Sequence, residues 1–289
     1  MTSFANLKRS SNSFEKLTQA VQAINKPENA FAEDTRIWYP AVDKNGNGYS
    51  VIRFLPAPPQ DGDDALPWVR VFSHGFQGPT GLWLIENCPT TLGKECEICR
   101  RNSEYWNSGI ESDKEIARAR KRKLSYYSNI LVISDPQNPE NEGQSRIFRY
   151  GKKIFDKISE AMTPEFEDEK AINPFDFWEG ANFKLKIRNV EGYRNYDRSE
   201  FSEPEALFGG NDDKLKEIWE KEYSLKEFID PKLFKSNEEL QKRFEKVVAV
   251  ESVKPTVASA SKPTQTPSTS DSSESDDEEL DYFKSLLDD

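Results

Sequence analysis

The only histidine and all three cysteines of this 289-residue chain fall within one short stretch, at His74, Cys88, Cys96 and Cys99. Cys96 and Cys99 have the two-residue spacing with which two thiolates grip one metal ion. Three cysteines and one histidine complete a tetrahedral shell without a water molecule, and thiolate sulfur favours zinc over magnesium or calcium. The stretch therefore predicts one structural zinc ion; the alternative is three buried cysteines and a surface histidine that never meet.

The neighbours of these four residues do not indicate a catalytic metal. Zinc deaminases combine His-x-Glu with a later Pro-Cys-x-x-Cys, whereas Gly75 and Phe76 follow the histidine here and Glu95 precedes Cys96. A nuclease would need clustered carboxylates to hold its catalytic metals, and the many acidic residues of this chain show no such spacing. We therefore expect a protein that is not an enzyme.

Three segments, 118–127, 148–153 and 193–196, interleave cations with aromatic rings. Cations neutralise phosphates and release counterions, while aromatic faces accept unstacked bases whatever their sequence. A single segment of this kind is more often a solvated helix face with a core tyrosine; three of them together favour binding to single-stranded DNA. The predicted DNA-binding residues are Arg118, Arg120, Lys121, Arg122, Lys123, Tyr126, Phe148, Tyr150, Lys152, Lys153, Tyr193 and Tyr196.

Short strands joined by turns must position these residues. Alternating or continuous apolar runs predict strands at 49–55, 68–72, 82–85, 128–133 and 183–190. Helical spacing predicts helices at 152–162, 213–229 and 236–250. Pro89 and Gly93 should bend the chain between Cys88 and the Cys96–Cys99 pair. This pattern predicts an α+β protein, mainly β, with a small barrel or sandwich at its centre.

The net charge of −11 is concentrated at the C-terminal end. Residues 264–289 contain nine acidic residues and one basic residue, a charge of −8, which leaves −3 for the rest of the chain. The Ser/Thr/Pro-rich residues before them cannot form a core. We predict an N-terminal basic arm at 1–25, a folded core at 26–250, a linker at 251–270 and a disordered, partner-seeking acidic tail at 271–289.

The chain lacks both a membrane-spanning stretch of roughly 20 apolar residues and the apolar N-terminal run of a secretory signal. We therefore expect no membrane partner and a cytoplasmic location. Three cysteines are too few for a disulfide scaffold, and a reducing compartment favours metal ligation instead.

A series of motifs, in order along nearly the whole chain, resembles the single-stranded DNA-binding replication proteins of T-even-type bacteriophages, the helix-destabilising family. The motifs that carry this resemblance are Asn45–Gly48, Val51–Pro56, His74–Phe76 with the three cysteines, Lys121–Tyr126, Asn129–Val132, Asp135–Pro136, Pro139–Gly143, Gly151–Ile154, Asp156–Ile158, Trp178–Phe183 and Asn195–Asp197.

The resemblance implies an OB-fold barrel core, flanking helices and a zinc-bearing subdomain beside the DNA cleft, with His74, Cys88, Cys96 and Cys99 as zinc ligands. By the same resemblance, the cleft residues are Arg53, Lys121, Arg122, Lys123, Tyr126, Phe148, Tyr193 and Tyr196, and Tyr105 and Trp106 are further stacking candidates. The basic motif that links neighbouring protomers resembles Lys8, Arg9, Ser10 and Ser11.

The function implied is cooperative, sequence-independent coating of single-stranded DNA in replication, recombination and repair, inside an infected bacterial host cell. The acidic tail at 264–289 resembles the family segment that recruits replication proteins, such as a polymerase, a helicase loader or a recombinase. The alternative from another class is an acidic scaffold or transcription adaptor that uses its zinc knuckle for protein contacts. That alternative predicts weak oligonucleotide binding that does not depend on Lys121, Arg122 and Lys123.

Overall fold

Residues 34–166 and 169–248 are described by a computed structural model of the chain, and they form a mixed α+β fold that is mainly sheet. The predicted α+β class with a predominance of strands is therefore confirmed. The arm at 1–25, the linker at 251–270 and the tail at 271–289 lie outside the described residues. Within the described part, no helix is both long enough and apolar enough to cross a membrane.

Nine strands run through the described residues. They are β1 (Ile37–Trp38), β2 (Gly48–Phe54), β3 (Val69–Gln77), β4 (Trp83–Asn87), β5 (Lys123–Ser134), β6 (Ser145–Tyr150), β7 (Ala181–Val190), β8 (Tyr193–Asn195) and β9 (Glu200–Pro204). The five helices of the same part are α1 (Glu97–Trp106), α2 (Glu111–Arg120), α3 (Lys152–Met162), α4 (Asp212–Glu220) and α5 (Asn237–Val248).

The strands hydrogen-bond in the order β1-β6-β5-β2-β7-β8. Long β5 also pairs with β3, which in turn pairs with β4, and β9 pairs with β7. All of these pairings are antiparallel except β1 with β6. Because β3 and β4 branch from β5 away from the main path, the hairpin that carries His74 is an extension of the central sheet.

The main core lies under β2, β5, β6, β7 and α3, and it is dominated by large rings. Phe54 contacts four other aromatic rings at centroid distances of 5.6 to 6.3 Å. Rings of this kind add edge-to-face attraction to the burial of apolar surface. The aliphatic members Ile52, Ile130 and Leu185 are fully buried beside them, so strands with alternating apolar residues close this core.

A second core lies between the β3–β4 hairpin, α1 and α5. Phe76 and Leu84 from the hairpin pack with Ile98 of α1 and with Leu240 and Phe244 of α5. At the start of the turn between the two strands, a Cβ on Gly78 would lie 2.3 Å from the carbonyl oxygen of Val247. The glycine therefore permits the close approach that holds the end of α5 against the hairpin.

The predicted helices are confirmed in part. The helix predicted at 152–162 coincides with α3, and the one at 236–250 corresponds to α5. The prediction of a continuous helix over 213–229 is wrong, because α4 ends at Glu220 and only a short 3₁₀ turn forms at Lys226–Ile229. The chain turns there because Asp61 accepts hydrogen bonds from the backbone N–H groups of Leu225 and Lys226.

Candidate metal centre and nucleic-acid interface

The four predicted ligands meet at one end of the second core. His74 lies in β3, with its side chain on the same face as Phe76, and Cys88 follows directly after β4. A 3₁₀ turn at Pro89–Leu92 and a left-handed Gly93 then reverse the chain, as the sequence predicts. Cys96 caps the N-terminus of α1 and Cys99 lies in its first turn, so a hairpin and a helix end contribute two ligands each.

The ligand atoms are close enough to share one ion. The imidazole nitrogen and the three sulfurs all lie within 4.8 Å of one another. Nε2 of His74 is 3.3 Å from Sγ of Cys96 and 3.7 Å from Sγ of Cys99, and the sulfurs of Cys88 and Cys99 are 3.5 Å apart. This cluster could hold a metal ion.

The electrostatics of the cluster fit a cation. Burial alone lowers the pKa of His74, but hydrogen bonds with Cys88 and Cys96 outweigh it and raise that pKa to about 9. Hydrogen bonds with Cys96 and Cys99 hold the pKa of Cys88 far below its usual range, while that of Cys99 is raised by its contacts with Cys88 and Cys96. Crowded sulfurs cannot all ionise unaided, and a divalent cation removes that conflict.

The orientation of the imidazole agrees with a role as ligand. Nε2 of His74 faces the sulfurs, whereas Nδ1 is buried and has no hydrogen-bond partner among the described atoms. A buried polar side chain that leaves one nitrogen unpaired is uncommon, and here its other nitrogen points at three soft donors. The donor set therefore fits a thiophilic metal held through Nε2.

The structure brings two predicted aromatic residues and two predicted cations together at the ends of α1 and α2. The guanidinium of Arg118 lies 5.5 Å from the ring centroid of Trp106, and that of Arg120 lies 5.4 Å from the ring of Tyr105. Arg118 is exposed and both rings are half-buried, but Arg120 is buried. Lys121, Arg122 and Lys123 follow directly and reach the surface in part or in full.

A second predicted group lies at the start of α3, where Lys152 and Lys153 are exposed. Lys153 approaches Asp197 with 3.8 Å between its amino group and the carboxylate, which brings it beside half-buried Tyr196. Tyr193 is 80% exposed at the β7–β8 turn. These residues are therefore available to a ligand at the surface.

Five residues predicted to contact DNA are buried: Arg53, Arg120, Tyr126, Phe148 and Tyr150. Tyr126 stacks on Phe155 of α3 at a centroid distance of 4.1 Å, and the hydroxyl of Tyr150 lies 2.9 Å from that of Ser128. These rings complete the main core because they lie on the inward-facing sides of β5 and β6. Their contact with DNA stays a prediction.

Arg53 has a structural role within the described residues. Its Nη2 donates to the carbonyl oxygens of Asp176 and Glu205 at 2.9 and 3.0 Å, and to that of Phe177 at 3.4 Å. Burial lowers its pKa. The side chain therefore joins β2 to the loops before β7 and after β9.

Four residues outside the predicted DNA-binding set form cation–ring contacts in this region: Arg70 and Arg149, which are exposed, and Phe72 and Tyr127, which are half-buried. The guanidinium of Arg122 lies 4.1 Å from the ring centroid of Phe72, and that of Arg70 lies 5.8 Å from the same ring. Arg149 lies 5.9 Å from the ring of Tyr127 on the opposite face of β5 from Tyr126. Strand alternation could have shown that Tyr126 and Tyr127 face opposite sides, but not which one is outside.

Lys8, Arg9, Ser10 and Ser11, to which the family resemblance gives contacts between protomers, lie outside the described residues. So does the acidic segment at 264–289. Neither prediction is tested by the fold.

The region that contains the four candidate metal ligands and the predicted DNA-binding residues is similar to known DNA-binding proteins. A family model described as "gp32 DNA binding protein like" matches residues 46–248. The single-stranded DNA-binding protein of Enterobacteria phage T2 is 38% identical over 235 residues, which cover 80% of this chain and 76% of the relative. The protein of the same name from Enterobacteria phage T4 is 36% identical over 250 residues, which cover 85% of this chain and 81% of the relative.

Proposed function

Since the chain belongs to the gp32-like family of DNA-binding proteins, we propose that it coats single-stranded DNA without reading its sequence. Like its relatives, which are DNA-binding proteins, it is a binding protein and not an enzyme. The observation that carries the proposal is the extent of the family match, which spans the metal cluster and all three segments of interleaved cations and rings. Coating would pull a duplex apart by mass action, because the protein would bind one of the two states selectively.

The described surface supports this proposal near the start of β5. Lys123 is exposed, and Arg122 and Arg70 lie over the ring of Phe72. Each cation in such a surface can neutralise a phosphate, and each accessible ring offers a stacking platform of about 1–3 kcal/mol per base. Tyr105 and Trp106 add two half-buried rings at the end of α1, where they lie beside Arg120 and Arg118. The combination suits a flexible single strand whose bases are unstacked.

We propose zinc as the ion of the His74, Cys88, Cys96 and Cys99 cluster. Four protein donors would complete its tetrahedral shell, so the ion would supply no reactive position and would act through folding alone. Within the protein, the ligands tie the β3–β4 hairpin to α1. The metal would therefore fix one wall of the DNA-binding surface.

The remaining features belong to the same proposal. The core would be an OB-fold barrel; the register shifts in the β2–β5 and β7–β9 pairings support this, because such irregularities curve a sheet. Residues 1–25, with Lys8, Arg9, Ser10 and Ser11, would bind the neighbouring protomer, and the tail would recruit polymerase, helicase loader or recombinase proteins. The phage origin of the relatives supports a place in the cytoplasm of an infected bacterium and a role in replication, recombination and repair.

The proposal is tested by the salt dependence of binding to oligo(dT). Replacing Lys121, Arg122 and Lys123 together by alanine should lower the slope of log K against log salt by about 2, at about 0.7 per lost phosphate contact. A matched control replaces Lys214, Lys216 and Lys221 of the α4 region, which changes the net charge equally and should leave the slope unchanged. Equal slopes for all three proteins would contradict the proposed surface, and weak binding by all three would favour the scaffold alternative.

A further inference from the structure

Two hydrogen bonds connect the proposed metal ligand Cys88 with Arg122 of the proposed DNA-binding surface. Nη1 of Arg122 donates to Oγ1 of Thr90 at 2.7 Å. The same oxygen lies 3.1 Å from Sγ of Cys88. One threonine hydroxyl thus touches both a metal-ligating sulfur and a cation of the proposed DNA-binding surface.

The chemistry of Arg122, Thr90 and Cys88 decides which group donates and which accepts in each of these two hydrogen bonds. A guanidinium has only donors, so the oxygen of Thr90 must accept from Arg122. The single hydrogen of the hydroxyl is then directed to Cys88, whose sulfur accepts it as a thiolate when a metal is bound. Such a bond to a charged acceptor is stronger than one between neutral groups.

Local structure holds Cys88 and Arg122, the two ends of this series of hydrogen bonds, in place. Thr90 lies in the 3₁₀ turn at Pro89–Leu92, directly after Cys88, whose N–H donates to the carbonyl of Phe72 at 2.8 Å. The N–H of Phe72 donates to Oγ1 of Thr91 at 2.9 Å. The ring of Phe72 in turn lies under Arg122. The turn and the guanidinium therefore share one support on β3.

We propose that Thr90 is a positioning residue through which the bound metal orients Arg122 for phosphate contact. A metal-held thiolate fixes the Thr90 hydroxyl, and the hydroxyl fixes one of the five N–H donors of the guanidinium. Side chains that hydrogen-bond to metal ligands orient those ligands, and their mutation typically lowers metal affinity by about 10- to 100-fold. The inference rests on the proposed function for its DNA half and on the metal cluster for the other half.

The metal half is tested in the full chain with cobalt(II) in place of zinc. Thr90→Val should weaken cobalt affinity by about tenfold and move the sulfur-to-cobalt charge-transfer band to longer wavelength, because the thiolate loses a hydrogen bond. Thr90→Ser keeps the hydroxyl and should restore both. Arg122→Ala should move the band in the same direction as Thr90→Val. Arg70→Ala is the matched control, since Arg70 lies over the same ring, and should leave the band unchanged.

The DNA half is tested by the salt slope for oligo(dT). Thr90→Val should lower the slope in the wild-type background, towards the loss of about 0.7 expected for one phosphate contact, and should change nothing further when Arg122 is alanine. Additive effects, an unmoved band in Arg122→Ala, or a wild-type protein without a cobalt band would each overturn the inference. A wild-type protein that fails to bind oligo(dT) would overturn the proposed function, and with it the DNA half, whatever the cobalt spectra show.

Discussion

Replacing Glu222 by glutamine should stabilise the protein by an amount that grows with pH. Glu222 is 4% exposed, and neither oxygen of its carboxyl has a hydrogen-bond partner among the described atoms. Burial, with a smaller contribution from the charge of Asp61, raises its pKa to about 9 from an ordinary value of 4.5. A buried, unpaired carboxyl of this kind remains protonated at neutral pH.

The sign and the size of this stability difference follow from the linkage between proton binding and folding. The folded protein holds the proton of Glu222 more tightly than the unfolded chain, so the free energy of unfolding falls as pH rises from about 4.5 to about 9. At 1.36 kcal/mol per pH unit, the carboxyl should lower stability by about 4 kcal/mol between pH 5 and pH 8. Glutamine has nearly the same shape and does not titrate, so the unfolding free energy of the variant should not fall with pH on account of residue 222.

The measurement is urea unfolding of the metal-saturated protein at several values of pH between 5 and 8. The difference in unfolding free energy between Glu222→Gln and the wild type should increase across this range, while other titrating groups cancel. Exposed Glu220, two residues earlier, supplies the control, and Glu220→Gln should run parallel to the wild type. A parallel course for Glu222→Gln as well would refute the assignment of Glu222 as a buried neutral acid.

Three further predictions concern the described core and the metal cluster. Cys88→Ser should lower cobalt affinity, weaken the sulfur-to-cobalt charge-transfer band because one of three thiolates is lost, and lower the melting temperature of the metal-loaded protein, because metal-binding energy is folding energy; unchanged cobalt affinity and an unchanged band would contradict the ligand set. Arg53→Met should cost about 1–3 kcal/mol in urea unfolding, since the carbonyl oxygens of Asp176 and Glu205 lose their hydrogen bonds from Nη2, yet should leave the oligo(dT) salt slope unchanged; a lower slope would place Arg53 in contact with DNA. Gly78→Ala should cost about 2 kcal/mol, because its Cβ would meet the carbonyl of Val247, whereas a Cβ on Gly75, three residues earlier in β3, meets open space; equal stability of Gly78→Ala and Gly75→Ala would contradict the packing of α5.

The sequence predicts the metal ligands because ligand chemistry is local. Few residue types bind zinc, and the spacing of Cys96 and Cys99 alone suggests a shared ion. The strand containing Ile52 and Phe54 is predicted for a similar reason, since its apolar pattern ends at a proline. Each of these features depends on a short run of residues.

The orientation of side chains could not be predicted in the same way. Tyr126 and Tyr127 are adjacent, and a strand must direct one ring inward, but only the packing of α3 decides that Tyr126 is the buried one. Arg53 has the residue type of a phosphate contact, yet it lies near the end of β2, where consecutive residues on both faces of the strand are buried. The link through Thr90 depends on a turn and a strand that are distant in sequence, so no local pattern indicates it.

The most direct test of single-stranded DNA coating is protection of a long single strand from nuclease digestion by the full chain. Protection should be strong at low salt, should weaken as salt rises, and should not depend on base sequence, because phosphates and stacked bases supply the binding. An equal length of duplex should be protected much less, because the protein binds the single strand selectively. A single strand that is digested at the same rate with and without the protein at low salt would contradict the account.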